Sequence, residues 1–208
     1  MGISKNIYSL VLSDDVIRKV DQLAYEMHTS RSNCINQILA EHLSCVTPEM
    51  RMQRIFASLE DLVQEQFRML GQTSANIFAL QSRLDYKYKP TILYSVEIYP
   101  DQNYTGKLKI KLRTQNQTLI AALDEFFRFW IALESCYFPE HPVEYRITPG
   151  RLERSVACAG LHTDQSGLFI SEYIRRFDQY LKAWFAGESP DCLERKFAGE
   201  SAKIEQFI

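Results

Sequence analysis

Thirty-nine residues, Asn6 to Ser44, read as one short strand and two short helices with almost no spare chain. A unit of that size cannot bury a sufficient core alone. Its single strand also leaves backbone N–H and C=O groups unpaired along both edges. The stretch therefore needs something to pack against. Ile7 to Leu12 alternates, with Tyr8, Leu10 and Leu12 on one face and Ile7, Ser9 and Val11 on the other. Both faces are fairly apolar, so alternation alone does not choose the buried side. Ser13 then offers an N-cap, and Asp14 and Asp15 follow it in the first turn, where carboxylates complement the helix dipole. Val16, Val20, Leu23 and Met27 form one helical stripe. "HTSRSN" interrupts it, Ser30 caps a second helix, and Ile35, Ile38, Leu39 and Leu43 form the next stripe.

Further along, Pro48 reads as a helix start. From Met50 to about Leu84 the apolar spacing predicts helix: Ile55, Leu59, Leu62, Phe67 and Leu70, then Ile77, Leu80 and Leu84, with Gly71 as a bend or break. Pro90 ends it through "DYKYKP". "TILYSVEIY" and "KLKIKLR" flank the turn-rich "PDQNYTG" and predict a hairpin. Leu119, Leu123, Phe126, Phe127, Trp130 and Leu133 predict a strongly apolar helix. Residues 138–167 hold three prolines and three glycines and read as loop, with a short strand at "EYRIT". "LFISEYIRRFDQYLKAWF" predicts a long helix, and the tail after Gly187 is polar and partly helical or frayed.

Composition narrows the class. The net charge is −2, and residues 1–45 carry four basic and five acidic groups, so no strongly basic region stands out. The five cysteines, Cys34, Cys45, Cys136, Cys158 and Cys192, are odd in number and form no CxxC pair. That pattern points to reduced thiols in a cytoplasmic protein, not a disulfide framework. No apolar run is long enough to span a bilayer, and the N-terminus has no apolar leader pattern, so no membrane partner is expected. No phosphate-binding loop, nucleophile elbow or HExxH motif is present, and no paired acid and base supports an enzyme; no cofactor is expected.

The stretch "IYSLVLSDDVIRKVDQLAYEMHTSRSNCINQILAEHL" resembles the ribbon-helix-helix (Arc/MetJ/CopG-type) DNA-binding family. Its most specific pieces are the strand ending Leu12-Ser13, the "VDQLA" of the first helix and the "TSRSNCINQIL" entry to the second. The resemblance implies an intertwined homodimer, in which the strand pairs with the same strand of a second copy and four helices close over it. It implies a dimer core of Tyr8, Leu10, Leu12, Val20, Leu23, Ile35, Ile38 and Leu39. Ile7, Ser9 and Val11 would face bases in the major groove, a mode known for two-stranded ribbons. Ser30, Arg31 and Ser32 at the second helix start would hold a phosphate, with Lys5 on the N-terminal arm. Family members commonly place Arg, Lys, Thr, Asn or Gln on the outward strand positions; here stand two aliphatics and one serine. An aliphatic group meets a thymine methyl but cannot make the bidentate contacts that read guanine or adenine.

Other candidates are weaker. Lys107, Lys109, Lys111 and Arg113 form a basic ladder, either a second contact to phosphates or an acidic partner, or charges guarding an exposed strand. Arg151, Arg154, Arg175 and Arg176 would gather round an anion if the loop folds back, although Glu140, Glu144 and Glu153 favour a mixed solvated surface. His141 and His162, with Cys136, Cys158 and Asp164, match no standard zinc or nickel spacing. The aromatic runs around Trp130 and Trp184 read as core more than as a ligand pocket.

The expected architecture is α+β. Residues 1–45 form a ribbon-helix-helix unit, a swapped dimeric β-ribbon plus helices. Residues 46–89 form a connecting helical segment. Residues 90–208 form a C-terminal α+β domain, a β-hairpin packed on long helices, that senses or oligomerises. The expected function is a cytoplasmic, homodimeric, sequence-specific transcriptional regulator, a repressor, with double-stranded DNA and itself as partners and a protein or small-molecule effector at the C-terminal domain. The alternative is a dimeric protein–protein interaction factor, antitoxin-like or a DNA-mobilisation accessory.

Overall fold

The computed structural model describes residues 7–45, 47–60, 67–74, 76–99, 105–139, 143–157 and 163–204. Three helices come first: α1 (Asp14–Glu26), α2 (Arg31–His42) and α3 (Pro48–Glu60). Four strands follow, β1 (Phe67–Ser74), β2 (Ile77–Arg83), β3 (Thr91–Ile98) and β4 (Thr105–Arg113), then α4 (Gln117–Tyr137). The chain closes with β5 (Tyr145–Thr148), β6 (Arg151–Ala157), α5 (Thr163–Phe185) and α6 (Pro190–Ile204). The fold is mixed helix and sheet. All six strands form one antiparallel sheet in the order β1-β2-β3-β4-β6-β5.

The predicted hairpin and the two long apolar helices are present. β3 and β4 pair from Thr91 opposite Arg113 to Ile98 opposite Gly106. Gly106 is required there, because a Cβ would stand 2.6 Å from the Glu97 carbonyl oxygen. β3 alternates buried and half-buried along its whole length, with Ile92, Tyr94, Val96 and Ile98 inside. Opposite pairs share a face, so Leu80, Tyr94, Ile110, Leu152 and Ile147 make one inner row across the sheet. Against that face α4 and α5 pack an aromatic cluster. Trp130 meets Phe177 at 5.2 Å between ring centroids, Tyr180 at 5.4 Å and Phe197 of α6 at 5.5 Å. α3 adds Ile55, Phe56 and Leu59 to the same core.

Two expectations are corrected. The helix predicted from Met50 to Leu84 ends at Glu60, and Phe67 to Ser74 and Ile77 to Arg83 are strands. Leu62 lies outside the described residues. Phe67 pairs with Ser82, Leu80 is buried between Met69 and Tyr94, and Leu84 is buried just beyond β2. Phe78, Leu80 and Ser82 alternate inward at period two, but a polar serine at the third place hides the alternation. Gly71, expected to bend a helix, lies at a register shift in β1 opposite Ala79. The segment from 67 therefore belongs to the same sheet as the hairpin.

The stretch from 138 to 167, read as loop with one short strand, contains a second hairpin. β5 and β6 are joined by Pro149-Gly150, with Thr148 opposite Arg151. Gly150 has φ 70°, the left-handed backbone that Pro-Gly turns place at their third residue. The polar tail is helical from Pro190 to Ile204 and buries Leu193 and Phe197.

Candidate nucleic-acid interface

The N-terminal unit is locally well specified and globally exposed. α1 begins after Ser13, whose extended backbone sits at the N-cap without a side-chain cap bond. Asp14 and Asp15 occupy the first turn, and Asp15 pairs with Arg18. His28 takes φ 51° and lets the chain reverse between the helices, with the Thr29 N–H donating to the Ala24 carbonyl at 2.9 Å. Ser30 caps α2: its Oγ accepts from the Asn33 N–H at 3.2 Å. Only Val20, Ala24 and Cys34 are buried in this unit's small core, with Leu23 and Ile35 packed against it.

Residues 7–12 lie outside every strand ladder of the described chain. Ile7, Tyr8, Ser9, Leu10 and Val11 are exposed, and Leu12 is half-buried. Tyr8 and Leu10, expected to be inside a dimer, are 80% and 58% exposed in the single chain. Ile38 and Leu39 are exposed too. An open apolar groove along the helices is lined by Val16, Val20, Leu23 and Ile38, with Asp15 and Lys19 at its rim. At the start of α2, Ser30, Arg31 and Ser32 are exposed. Arg31, expected to meet a phosphate, forms a two-bond pair with Asp21, its Nη2 lying 2.7 Å from Oδ2. A phosphate there would compete with that carboxylate. Lys5 lies outside the described residues.

The basic ladder is placed differently from an edge guard. Lys107, Lys109, Lys111 and Arg113 point away from the helices on β4, a central strand between β3 and β6. Lys109 pairs with Glu97 at 2.6 Å, and that hydrogen bond, outweighing partial burial, holds the Glu97 carboxyl below its usual range.

The four arginines do not converge. Arg151 lies on the sheet's open face and pairs with Glu153 at 2.8 Å. Arg154 turns to the opposite, inner face. Arg175 pairs with Glu172 at 2.6 Å, and Arg176 bridges Glu172 and Glu200 on the helices at 3.6 Å each. His141, His162 and Cys158 lie outside the described residues, and Cys136 is exposed. Among the described residues no cluster of His, Cys, Asp and Glu could hold a metal, and no helix is long and apolar enough to cross a membrane.

Two buried polar networks escaped the sequence reading. Glu134 of α4 receives Arg154 Nη2 at 3.0 Å, the Tyr145 hydroxyl at 2.6 Å and the Tyr173 hydroxyl at 3.0 Å. Trp130 Nε1 donates to Tyr173 at 2.8 Å, and the Arg154 guanidinium stacks 4.3 Å from the Tyr173 ring centre. Burial and then the Glu134 charge push both phenols up. Burial works against the Arg154 cation, but Tyr173 and Glu134 beside it hold its pKa up. In the second network, Asp178 of α5 accepts from Ser82 and, at 2.7 Å, from the Tyr94 hydroxyl; Lys182 pairs with it at 2.5 Å. Burial and Asp178 raise the Tyr94 phenol. Both networks tie helix to sheet in a packed interior. Glu134 could not be told from a solvated helix acid, since its partners come from β5, β6 and α5.

Comparison with known proteins finds no match: no protein-family model, no curated protein and no solved structure.

Proposed function

We propose that the chain is a homodimeric DNA-binding regulator, a repressor, of the ribbon-helix-helix kind. The observation that carries this reading is the stretch Ile7–Leu12, outside every strand ladder of the described chain and exposed from Ile7 to Val11, ahead of two helices that leave Ile38 and Leu39 uncovered. Backbone edges and apolar groups of this kind are satisfied together by the same segment of a second copy. Tyr8, Leu10 and Leu12 then enter a shared core with Val20, Leu23, Ile35, Ile38 and Leu39. Ile7, Ser9 and Val11 meet base edges in the major groove, the aliphatic pair through thymine methyls. The capped start of α2 offers N–H groups to a phosphate. The unpaired cysteines support a cytoplasmic setting.

A second reading, a dimeric interaction factor that uses the unit mainly to self-associate, is favoured by Arg31 being held by Asp21 and by the aliphatic outward face. Sedimentation of the intact protein tests the dimer. Fluorescence anisotropy on its own upstream DNA and on a scrambled duplex, at low and moderate salt, tests base reading. The regulator reading expects a preference for the upstream sequence that weakens in Ile7→Ala, Ser9→Ala or Val11→Ala. A stable dimer with equal affinity for both duplexes overturns it in favour of the interaction factor.

A further inference from the structure

Residues opposite one another across a ladder share a face, so the registers sort every charged strand residue. Among the described strand residues, Arg154 is the only charged one that turns inward. β4 places Lys107, Lys109, Lys111 and Arg113 on the open face. The other strands add Arg68, Arg83, Arg146 and Arg151 to the same side. Only two strand carboxylates stand among these eight cations, Glu97 and Glu153. The face thus has an excess of six positive charges, whereas the whole chain is −2. The rest of the chain must carry an excess of eight negative charges. Of the loop residues flanking the strands, Lys87 and Lys89 are matched in number by Asp85 and Glu144, so counting them leaves the excess at six.

A solvated sheet face ordinarily mixes both signs, and lysines that prevent edge pairing belong on edge strands. β4 is central, so that explanation does not reach Lys107, Lys111 and Arg113. Both strand acids are already engaged, Glu97 by Lys109 at 2.6 Å and Glu153 by Arg151 at 2.8 Å. Arg68, Arg83, Lys107, Lys111, Arg113 and Arg146 are exposed and have no acid at ion-pair distance among the described residues.

We propose that this open sheet face docks on the phosphate backbone of duplex DNA without reading bases. Same-face cations recur about 6.8 Å apart along β4, and strands lie about 4.8 Å apart, so the charges form a two-dimensional array and not a single groove. No outward position of β2 to β6 carries an aromatic ring. Single-strand binders rely on such rings as stacking platforms. Tyr99, just past β3, is half-buried and hydrogen-bonded to Glu97. Exposed Tyr88 lies on the β2–β3 loop with its own neighbour Lys87 over it at 5.3 Å. Charge without stacking fits a backbone whose bases are paired inside. This surface shares no residue with the proposed N-terminal ribbon and would supply sequence-neutral affinity beside it.

The test uses the full chain, a short labelled scrambled duplex, the same sequence as a single strand, and a salt titration. The triple variant Lys107→Gln/Lys111→Gln/Arg113→Gln is expected to bind the duplex at least about tenfold more weakly. Its slope of log affinity against log salt should shrink by up to about 2.7, or about 0.9 for each phosphate no longer neutralised. Glu153→Gln, which removes an acid and frees Arg151, should tighten binding. Unchanged affinity and slope in the triple variant overturn the proposal. So does tighter binding of the single strand, or displacement of the duplex by polyglutamate as effectively as by unlabelled duplex. Failure of the ribbon reading would show instead as no preference for upstream DNA with the salt slope intact.

Discussion

Residues 7–45 and the body from residue 48 onward meet the same requirement, hiding apolar surface, in opposite ways. The body closes on itself. Its sheet is covered by α3, α4 and α5, and Trp130, Phe126, Phe127, Phe177 and Tyr180 are almost fully buried. Even its interior charges are answered, Arg154 by Glu134 and Asp178 by Lys182, Ser82 and Tyr94. The N-terminal unit has good local signals, a capped α2 and a tight helical turn, yet buries three apolar side chains in its small core and exposes Tyr8, Leu10, Ile38 and Leu39. Local order and global closure are thus separable. A segment can specify its helices through local signals and still leave much of its apolar surface uncovered.

The sharpest way to break the contrast is inside the body. Glu134→Ala leaves the Arg154 guanidinium and the Tyr145 and Tyr173 hydroxyls buried without their acceptor. We expect a loss of about 3–5 kcal/mol in urea unfolding, the range for breaking a buried ion pair. A loss below about 1 kcal/mol would mean that water reaches Arg154.

Next in size is the opposite lesion. Leu10→Asp places a charge where the proposed dimer core closes. It should raise the dimer dissociation constant at least about tenfold, or about 1.4 kcal/mol, in sedimentation. The thermal transition of the body should not move. An unaltered dimer would show that Ile7–Leu12 is not the shared element.

Ser30→Ala removes one cap from α2 and should cost about 1 kcal/mol of local helix stability. Hydrogen exchange of the amides in Arg31–His42 should quicken, while those of α4 and α5 keep their protection.

The smallest effect is a pH dependence. The Glu97 carboxyl is held below its usual 4.5, chiefly by the Lys109 hydrogen bond. A lowered folded value means that its contribution is present above 4.5 and fades as pH falls through that lowered value. Urea midpoints followed downward from neutral pH should therefore fall less steeply in Glu97→Gln than in the parent. Identical profiles would show that the pair contributes nothing.

Much of this architecture is legible in the chain. "KLKIKLR" announces a strand with one wet face, and the Leu119–Leu133 stripe announces α4. Ser30 before "RSN" announces the α2 cap, and all three stand. The second hairpin carries a readable mark, Pro149-Gly150 between alternating "YRIT" and "RLERSV". The prolines and glycines that crowd the whole region obscure it. β1 and β2 are the harder case: Phe67, Leu70, Ile77, Leu80 and Leu84 fit helical spacing as well as anything nearby, and only pairing with β3 resolves them.

The basic face divides in the same way. Four of its cations alternate visibly along β4. Arg68, Arg83, Arg146 and Arg151 look like scattered surface charges until the ladder lays them side by side. By itself, the amino-acid order determined what depends on neighbours a few residues apart: caps, helical stripes, strand alternation, the Pro-Gly turn. The tertiary structure alone decided what depends on residues far apart in the chain. It set β4 in the centre and not at an edge, turned Arg154 inward to Glu134, and gathered eight cations on one surface. Periodicity names the face of an element, but only strand pairing and helix packing choose what that face meets.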